Sequence, residues 1–230
     1  MDGLFAPLKP VPPRLRPALG FLCFALFFLG WGIATYGGFV KPLFLASPGE
    51  TLRSGGALFV EYGFAEDVAV TVWRVFAGFI LAALLAVPLG ILMGAFKPVE
   101  AFFAGFVSFA RYLPASAFIP LLILWAGVGE LQKILVIFIG SIFQIVIMIA
   151  VIVGSVRGDL LEAAYTLGAS RRGVVLRVLL PAAAPQIAES LRLVLGWAWT
   201  YVIVAELVGA SAGIGHMIIE AQRFLDTGQM

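Results

Sequence analysis
Between Val75 and Phe96 the chain runs 22 residues without a charged side chain, and between Ile134 and Val156 it runs 23. Either window can cross the roughly 30 Å hydrocarbon layer of a bilayer as a helix, which takes about 20 residues. A water-soluble fold could not hide such stretches. The apolar set makes up 62% of the 230 residues, charged residues 12%, and the mean hydropathy is +1.06. Soluble domains are nearer half apolar and a quarter charged. Lipid takes the place of a core, and the expected fold class is an all-α integral membrane protein, a polytopic helical bundle.

About five spans are expected, within residues 18–36, 68–96, 112–129, 134–156 and 186–208. A loop follows the first, with the turn residues Ala46-Ser47-Pro48-Gly49 and the acids Glu50, Glu61, Glu66 and Asp67. Lys97-Pro98 stops the second, and Pro114 and Pro120 break the third. The first apolar run, Pro17 to Val40, is too long for a signal-peptide core and reads as an uncleaved span. Lys9, Arg14 and Arg16 flank it, and Arg157, Arg171, Arg172 and Arg177 lie between the fourth and fifth spans. By the positive-inside rule both regions are cytoplasmic, including the N-terminal segment 1–17, while the loop after the first span, with Lys41 and Arg53, faces outward. The Lys/Arg asymmetry and an odd span count agree. Residues 18–230 then form one transmembrane domain.

Gly78, Ala82, Ala86, Gly90 and Gly94 recur every four positions along the second span. They make one small-residue face that lets another helix approach closely. The lone Cys23 permits no intramolecular disulfide and reads as a small membrane-buried side chain. The lone His216 sits in a Gly-rich outer turn without a histidine partner, so no metal site is expected. The net charge of +2 comes without a basic stripe, which excludes nucleic acid as a natural partner. No G-x-x-x-x-G-K-[ST] phosphate loop occurs, so the chain is not a Walker-type ATPase.

Asp159 to Pro181 differs from the rest. Charge places it as a cytoplasmic loop, yet its pattern is helical. Asp159 suits an N-cap with Glu162 three residues on, a capping-box-like pair. Ala163, Ala164 and Leu167 fall on one side of a short helix, and Gly168 is placed to end it in a left-handed cap. Ser170 can cap a second helix that ends before Pro181. The expectation is helix, glycine turn, helix, between two spans.

This segment resembles the cytoplasmic EAA loop of permease subunits from binding-protein-dependent ABC importers. The pattern is Glu-Ala-Ala, three residues, Gly, nine residues, then Ile-x-Leu-Pro. Here Glu162-Ala163-Ala164, Gly168 and Val178-Leu179-Leu180-Pro181 hold the same spacing, with Val for Ile. From about residue 42 the chain is similar to the nitrate, sulfonate and taurine branch. The similar stretches run through Phe44-Leu45-Ala46-Ser47-Pro48, Thr71-Val72-Trp73-Arg74, Ile119-Pro120-Leu121-Leu122, Val204-Ala205-Glu206-Leu207 and Gly213-Ile214-Gly215. Members usually continue beyond a segment like Phe224-Leu225-Asp226-Thr227 into a last span, whereas this sequence stops at Met230. The resemblance implies a truncated reading frame or a shortened variant.

The resemblance implies a bacterial inner-membrane, multi-pass permease that is not an enzyme and carries no cofactor. ATP and Mg would be bound by a cytoplasmic ABC ATPase. A second permease subunit (a homodimer in the simplest case) and a periplasmic or lipid-anchored substrate-binding protein complete the assembly. Glu162, Ala163, Ala164, Leu167 and Gly168 would couple to the ATPase. The solute would be small and anionic, of the nitrate, sulfonate or taurine kind. Polar and aromatic residues at membrane depth are candidates for the translocation path: Arg74, Arg111, Gln144, Trp197, Trp199, Thr200 and Glu206. A charge near mid-membrane costs about 2.5–3.5 kcal/mol on insertion scales, so it lines a path, pairs internally or snorkels to the interface. The tryptophans can equally anchor at the interface. The alternative is a scaffold or regulatory subunit of the same fold without transport.

Overall fold
The computed structural model describes residues 11–229. Lys9, Met230 and most of the 1–17 segment lie outside the described residues. Every regular element among the described residues is helical. The chain divides into two compact units. One holds the described residues up to 64 with those from 218 onward, and the other holds 65–217.

In the first unit, α1 (Leu15–Tyr36) has no buried residue, as suits a helix whose surroundings are lipid. Cys23 is exposed on it. The following segment is tied back by Trp31 Nε1, which donates to Ala46 O at 2.9 Å, and by Gly49 N, which donates to the Tyr36 hydroxyl at 3.1 Å. Where a plain loop was expected there is α2 (Pro48–Glu61). Ser47 is its N-cap, accepting from Glu50 N, while the Glu50 carboxylate accepts from Ser47 N at 2.9 Å. The reciprocal bonds satisfy two otherwise orphaned donors, and Pro48 occupies a first-turn position where its missing N–H is harmless. The turn-like dipeptide Pro48-Gly49 is the start of a helix.

The second unit is built on three long helices: α3 (Phe64–Ala95), α6 (Glu130–Gly154) and α9 (Leu180–Glu206). The small-residue face of α3 is its packing face. Gly78, Ala82, Ala86 and Gly90 are buried. A Cβ at Gly90 would stand 2.8 Å from Ile149 Cβ and from Val146 O, and one at Gly94 would stand 2.6 Å from Ala150 O. These glycines let the backbones of α3 and α6 come into contact, the small-residue packing that substitutes for a hydrophobic drive inside lipid. Val146, Ile149 and Val153 of α6 and Ala183 and Val194 of α9 fill the same core.

Between α3 and α6 the chain does not form a single span beginning at 112. Lys97-Pro98 ends one helix and begins the next: α4 (Lys97–Ala110) has Pro98 in its first turn. A short 3-10 turn (Ala115–Phe118) and α5 (Ile119–Ala126) follow, and the axis bends by 82° at residues 111–114. Pro114 marks the bend, but Pro120 breaks nothing because it sits in the first turn of α5. With this bent pair taken as one crossing, the described residues hold up to five candidate spans.

The last long span also differs from expectation. The helix after Ser170 does not end before Pro181. It runs from Arg171 to Glu206, 36 residues, as α8 (Arg171–Val174), a π-helical turn (Val175–Leu179) and α9. In that wider turn Leu180 N donates to Val175 O. A proline ring collides with the carbonyl four residues before it, and the widened turn accommodates Pro181 without breaking the helix. Glu189 and Arg192 lie well inside this helix and pair with each other at 3.6 Å.

Candidate functional site
Three local arrangements carry the polar chemistry of the second unit. The first is α7 (Gly158–Thr166), the short helix between α6 and the α8–α9 helix. It starts two residues earlier than expected, with Arg157 rather than Asp159 at the cap position and no capping box. Asp159 instead accepts from Leu160 N at 2.9 Å and pairs with Arg157. The C-terminus follows the sequence. Gly168 has φ +81°, its N–H donates to Tyr165 O at 2.9 Å, and Ala169 N donates to Ala164 O at 3.0 Å. This pair of bonds is the Schellman arrangement, and the left-handed residue at its centre favours glycine. Ser170 then caps the next helix by accepting from Gly173 N at 3.2 Å.

The two alanines of α7 part company. Ala163 is exposed, whereas Ala164 is buried at 9% exposure, and Leu161 beside it reaches the main core. Leu167 is 88% exposed, so Ala164 and Leu167 are not on one side of the helix as expected. Glu162 is exposed and has no ion-pair partner among the described residues. The free face of α7 thus presents Leu160, Ala163, Tyr165 and Leu167 with Glu162, while Leu161 and Ala164 fix the helix to its own chain.

The second arrangement is a buried ion network at the opposite end of α6 and α9. Arg74, 1% exposed, donates Nε to Glu130 Oε2 at 2.6 Å and Nη1 to Glu206 Oε1 at 2.8 Å, and Nη2 bonds Glu130 Oε1. Arg74 Nη1 also reaches Ala212 O at 2.8 Å. Glu206, equally buried, accepts from Thr71 Oγ1 and from Gly215 N, each at 2.8 Å. Asp67 accepts from Gly213 N at 2.5 Å, and Ile214 N donates to Thr71 Oγ1 at 2.9 Å. Gly213, with φ +111°, is required here, because a Cβ would lie 2.6 Å from Glu206 Oε1 and 2.7 Å from Arg74 Nη1. The network pins the segment after α9 to α3 and the start of α6. Arg74 and Glu206, two of the expected path residues, are therefore an internal ion pair with their hydrogen-bonding capacity largely used. His216 lies in the first turn of α10 (Ile214–Phe224), not in the glycine turn before it.

The third arrangement is a small polar cavity at the break between α4 and α5. It has a volume of about 160 Å³, and its wall includes Arg111, Tyr112, Gln144 and Tyr201. Arg111 Nη2 donates to the Tyr112 hydroxyl at 2.8 Å, and its guanidinium carbon stands 4.7 Å from that ring's centroid. Thus Arg111 and Gln144 are brought together. Trp197, Trp199 and Thr200 border neither this cavity nor the ion network. Trp197 is 42% exposed, Trp199 packs against buried Val202 and Ala198, and Thr200 Oγ1 donates to Trp197 O at 2.6 Å. Sequence reasoning missed Tyr201 and Tyr112 at the cavity and Thr71, Asp67 and Glu130 at the network. Glu130 had a signal, since an acid at the head of a long apolar run needs a partner.

Among known proteins, the sequence model described as "Binding-protein-dependent transport system inner membrane component" matches residues 86–230. A putative ABC transporter permease protein of Methanocaldococcus jannaschii is 40% identical over 157 residues, 68% of this chain and 59% of that protein, so the chain spans about six-tenths of that relative's length. The taurine transport system permease protein TauC of Escherichia coli is 34% identical over 224 residues, 95% of this chain and 80% of its own length. Among solved structures, an inward-facing conformation of the MetNI methionine ABC transporter aligns with TM-score 0.64 at 20% identity, covering 72% of this chain and 85% of that one. That likeness is one of fold.

Proposed function
The chain belongs to the family of binding-protein-dependent transport system inner membrane components, and on that premise we propose that it is the permease subunit of an ATP-driven importer for a small sulfonate-type anion. It is a multi-pass membrane protein and performs no covalent chemistry itself. Hydrolysis belongs to a cytoplasmic ATPase partner, a second permease subunit completes the path, and a separate binding protein delivers solute from outside. The taurine relative supports the solute class.

The observation that carries the coupling role is the form of α7. A short helix is fixed at its inner face by Leu161 and Ala164, closed by a Schellman turn at Gly168, and open on the face that bears Ala163. The face that bears Ala163, flanked by Leu160, Tyr165 and Leu167, enters a groove, and the fixed inner face passes a displacement of the helix to α6 and α9. The test is Ala163→Arg in the full chain co-expressed with its ATPase. Pull-down of the ATPase and substrate-stimulated ATP hydrolysis in reconstituted complexes should both fall, with membrane insertion unchanged. Full ATPase binding and full stimulation in the variant would remove α7 as the coupling element.

A further inference from the structure
The cavity at the α4–α5 break is polar, small and set deep along the spans. Gln144 stands 14 residues from Glu130 and 10 from Gly154 on α6, about 21 Å and 15 Å along the axis. Irregular backbone at such depth is tolerated where it is enclosed by protein or lines an aqueous space. The break at residues 111–114 borders such a space.

The chemistry of the wall is one-sided. Arg111 has no carboxylate partner among the described residues, so its charge is answered there only by the Tyr112 ring and hydroxyl. The Tyr112 oxygen accepts from Arg111, which leaves its own hydrogen free to be donated. Among the described residues the Gln144 amide and the Tyr201 hydroxyl have no hydrogen-bond partner. Gly140 sets the Tyr201 ring against α6, because a Cβ there would lie 2.7 Å from Tyr201 Cδ2. The wall thus offers one cation and up to three neutral donors, with no acid. At about 160 Å³ the space matches roughly five water molecules, enough for a compact oxyanion and too small for a sugar or peptide.

We propose that this cavity, resting on the permease reading above, is a way-station for the oxyanion headgroup of the transported solute. Arg111 supplies the charge, and Tyr112, Gln144 and Tyr201 supply directional donors. The ion network at Arg74 plays no part in it, since its guanidinium is already occupied by Glu130 and Glu206.

The test uses the full chain in phosphatidylcholine nanodiscs, with its five tyrosines replaced by 3-fluorotyrosine. Fluorine resonances are followed as sodium methanesulfonate is exchanged for sodium gluconate at constant ionic strength. The signals of Tyr112 and Tyr201 should shift saturably, while those of Tyr36, Tyr62 and Tyr165 stay in place. Arg111→Gln should raise the midpoint at least about tenfold, the loss of one charge-assisted contact. Arg111→Lys should keep saturation, and Gln144→Leu should weaken it without altering the melting temperature. No saturable shift, equal shifts at all five tyrosines, or an unchanged midpoint in Arg111→Gln overturns the site. Discs containing phosphatidylglycerol test a lipid headgroup as occupant. A shift of the two signals by that lipid which methanesulfonate fails to compete away also overturns the proposal. Uptake with the partner ATPase is measured in parallel. Uptake without saturable binding sinks the cavity and leaves the permease reading. Saturable binding without uptake sinks the transport reading and leaves an oxyanion site.

Discussion

Glu206→Gln probes the buried network with almost no change in shape. Glu206 is 1% exposed and accepts from Arg74 Nη1, Thr71 Oγ1 and Gly215 N, each at 2.8 Å. Glutamine keeps one acceptor and replaces the other with an NH2 group. Either orientation therefore points a donor at a donor: at Arg74 and Thr71 in one, at Gly215 in the other. Removing one partner of a buried pair costs about 3–5 kcal/mol. Arg74 keeps Glu130, so the lower end, about 3 kcal/mol, applies. For a chain of this length 1 kcal/mol moves the melting temperature by about 2–4 °C, so the expected fall is about 6–12 °C. Glu130→Gln is the control. That side chain is 56% exposed, water can solvate what is lost, and the expected cost is about 1 kcal/mol or less. The assay is the fraction of detergent-solubilised protein that stays monodisperse on size exclusion after heating. A melting temperature for Glu206→Gln within about 2 °C of the parent, or a larger loss for Glu130→Gln, would refute the assignment of the lock to Glu206.

Gly90→Leu should abolish folding or cost more than about 3 kcal/mol, because even its Cβ meets Ile149 and Val146 at 2.8 Å. Leu92→Ala, at a position 45% exposed, should leave the yield of folded protein near that of the parent. Bonds from Ser47 hold the Glu50 carboxyl below its ordinary value of 4.5. Its contribution to the start of α2 is thus fully present above that value and lost as pH falls through the depressed one. Ser47→Ala should raise the Glu50 pKa in a carbon-13 carboxyl titration, and an unchanged titration would dismiss the capping box as its cause. A reporter fused after Gly168 should read cytoplasmic and one fused after Gly56 external, and the reverse pattern would overturn the orientation together with the coupling role of α7.

What was legible in the sequence was periodic or local. The glycine and alanine face of α3 repeats every four residues, so its close contact with a helix could be foreseen, although α6 as the partner could not. Gly168 could be placed in a left-handed turn because the helix before it and the serine cap after it lie within a few residues. Proline misled in both directions. Pro98 and Pro48 open helices, and Pro181 lies inside one behind a π turn, because a proline conflicts only with the turn that precedes it. The Ser47-x-x-Glu50 pair was a readable helix start, obscured by the turn-forming look of Pro48-Gly49. The ion network and the cavity were the least legible. Arg74 is 132 residues from Glu206, and Gln144 and Arg111 border one cavity at the bend between α4 and α5. Membrane depth marked Arg74, Arg111, Gln144 and Glu206 as unusual. It could not say that one pair is neutralised internally while the other two face an open space.

The unbroken helix from Arg171 to Glu206 is, in mechanical terms, a lever. Its 36 residues extend about 54 Å, well beyond the hydrocarbon layer of about 30 Å, and standing along the membrane normal it would project by about 24 Å. The projecting arm joins α7 through the short turn at Gly168, and the far tip is clamped by Glu206. With that tip held, a tilt of about 5° sweeps the free end through about 5 Å while the clamped end barely moves. The π turn at Val175–Leu179 interrupts the regular hydrogen-bond ladder within the arm, the kind of irregularity at which helices bend. A push applied to α7 would be divided between bending at that turn and rotating the helix about its anchored tip, and the balance of the two would set how much of the displacement reaches the middle of the membrane.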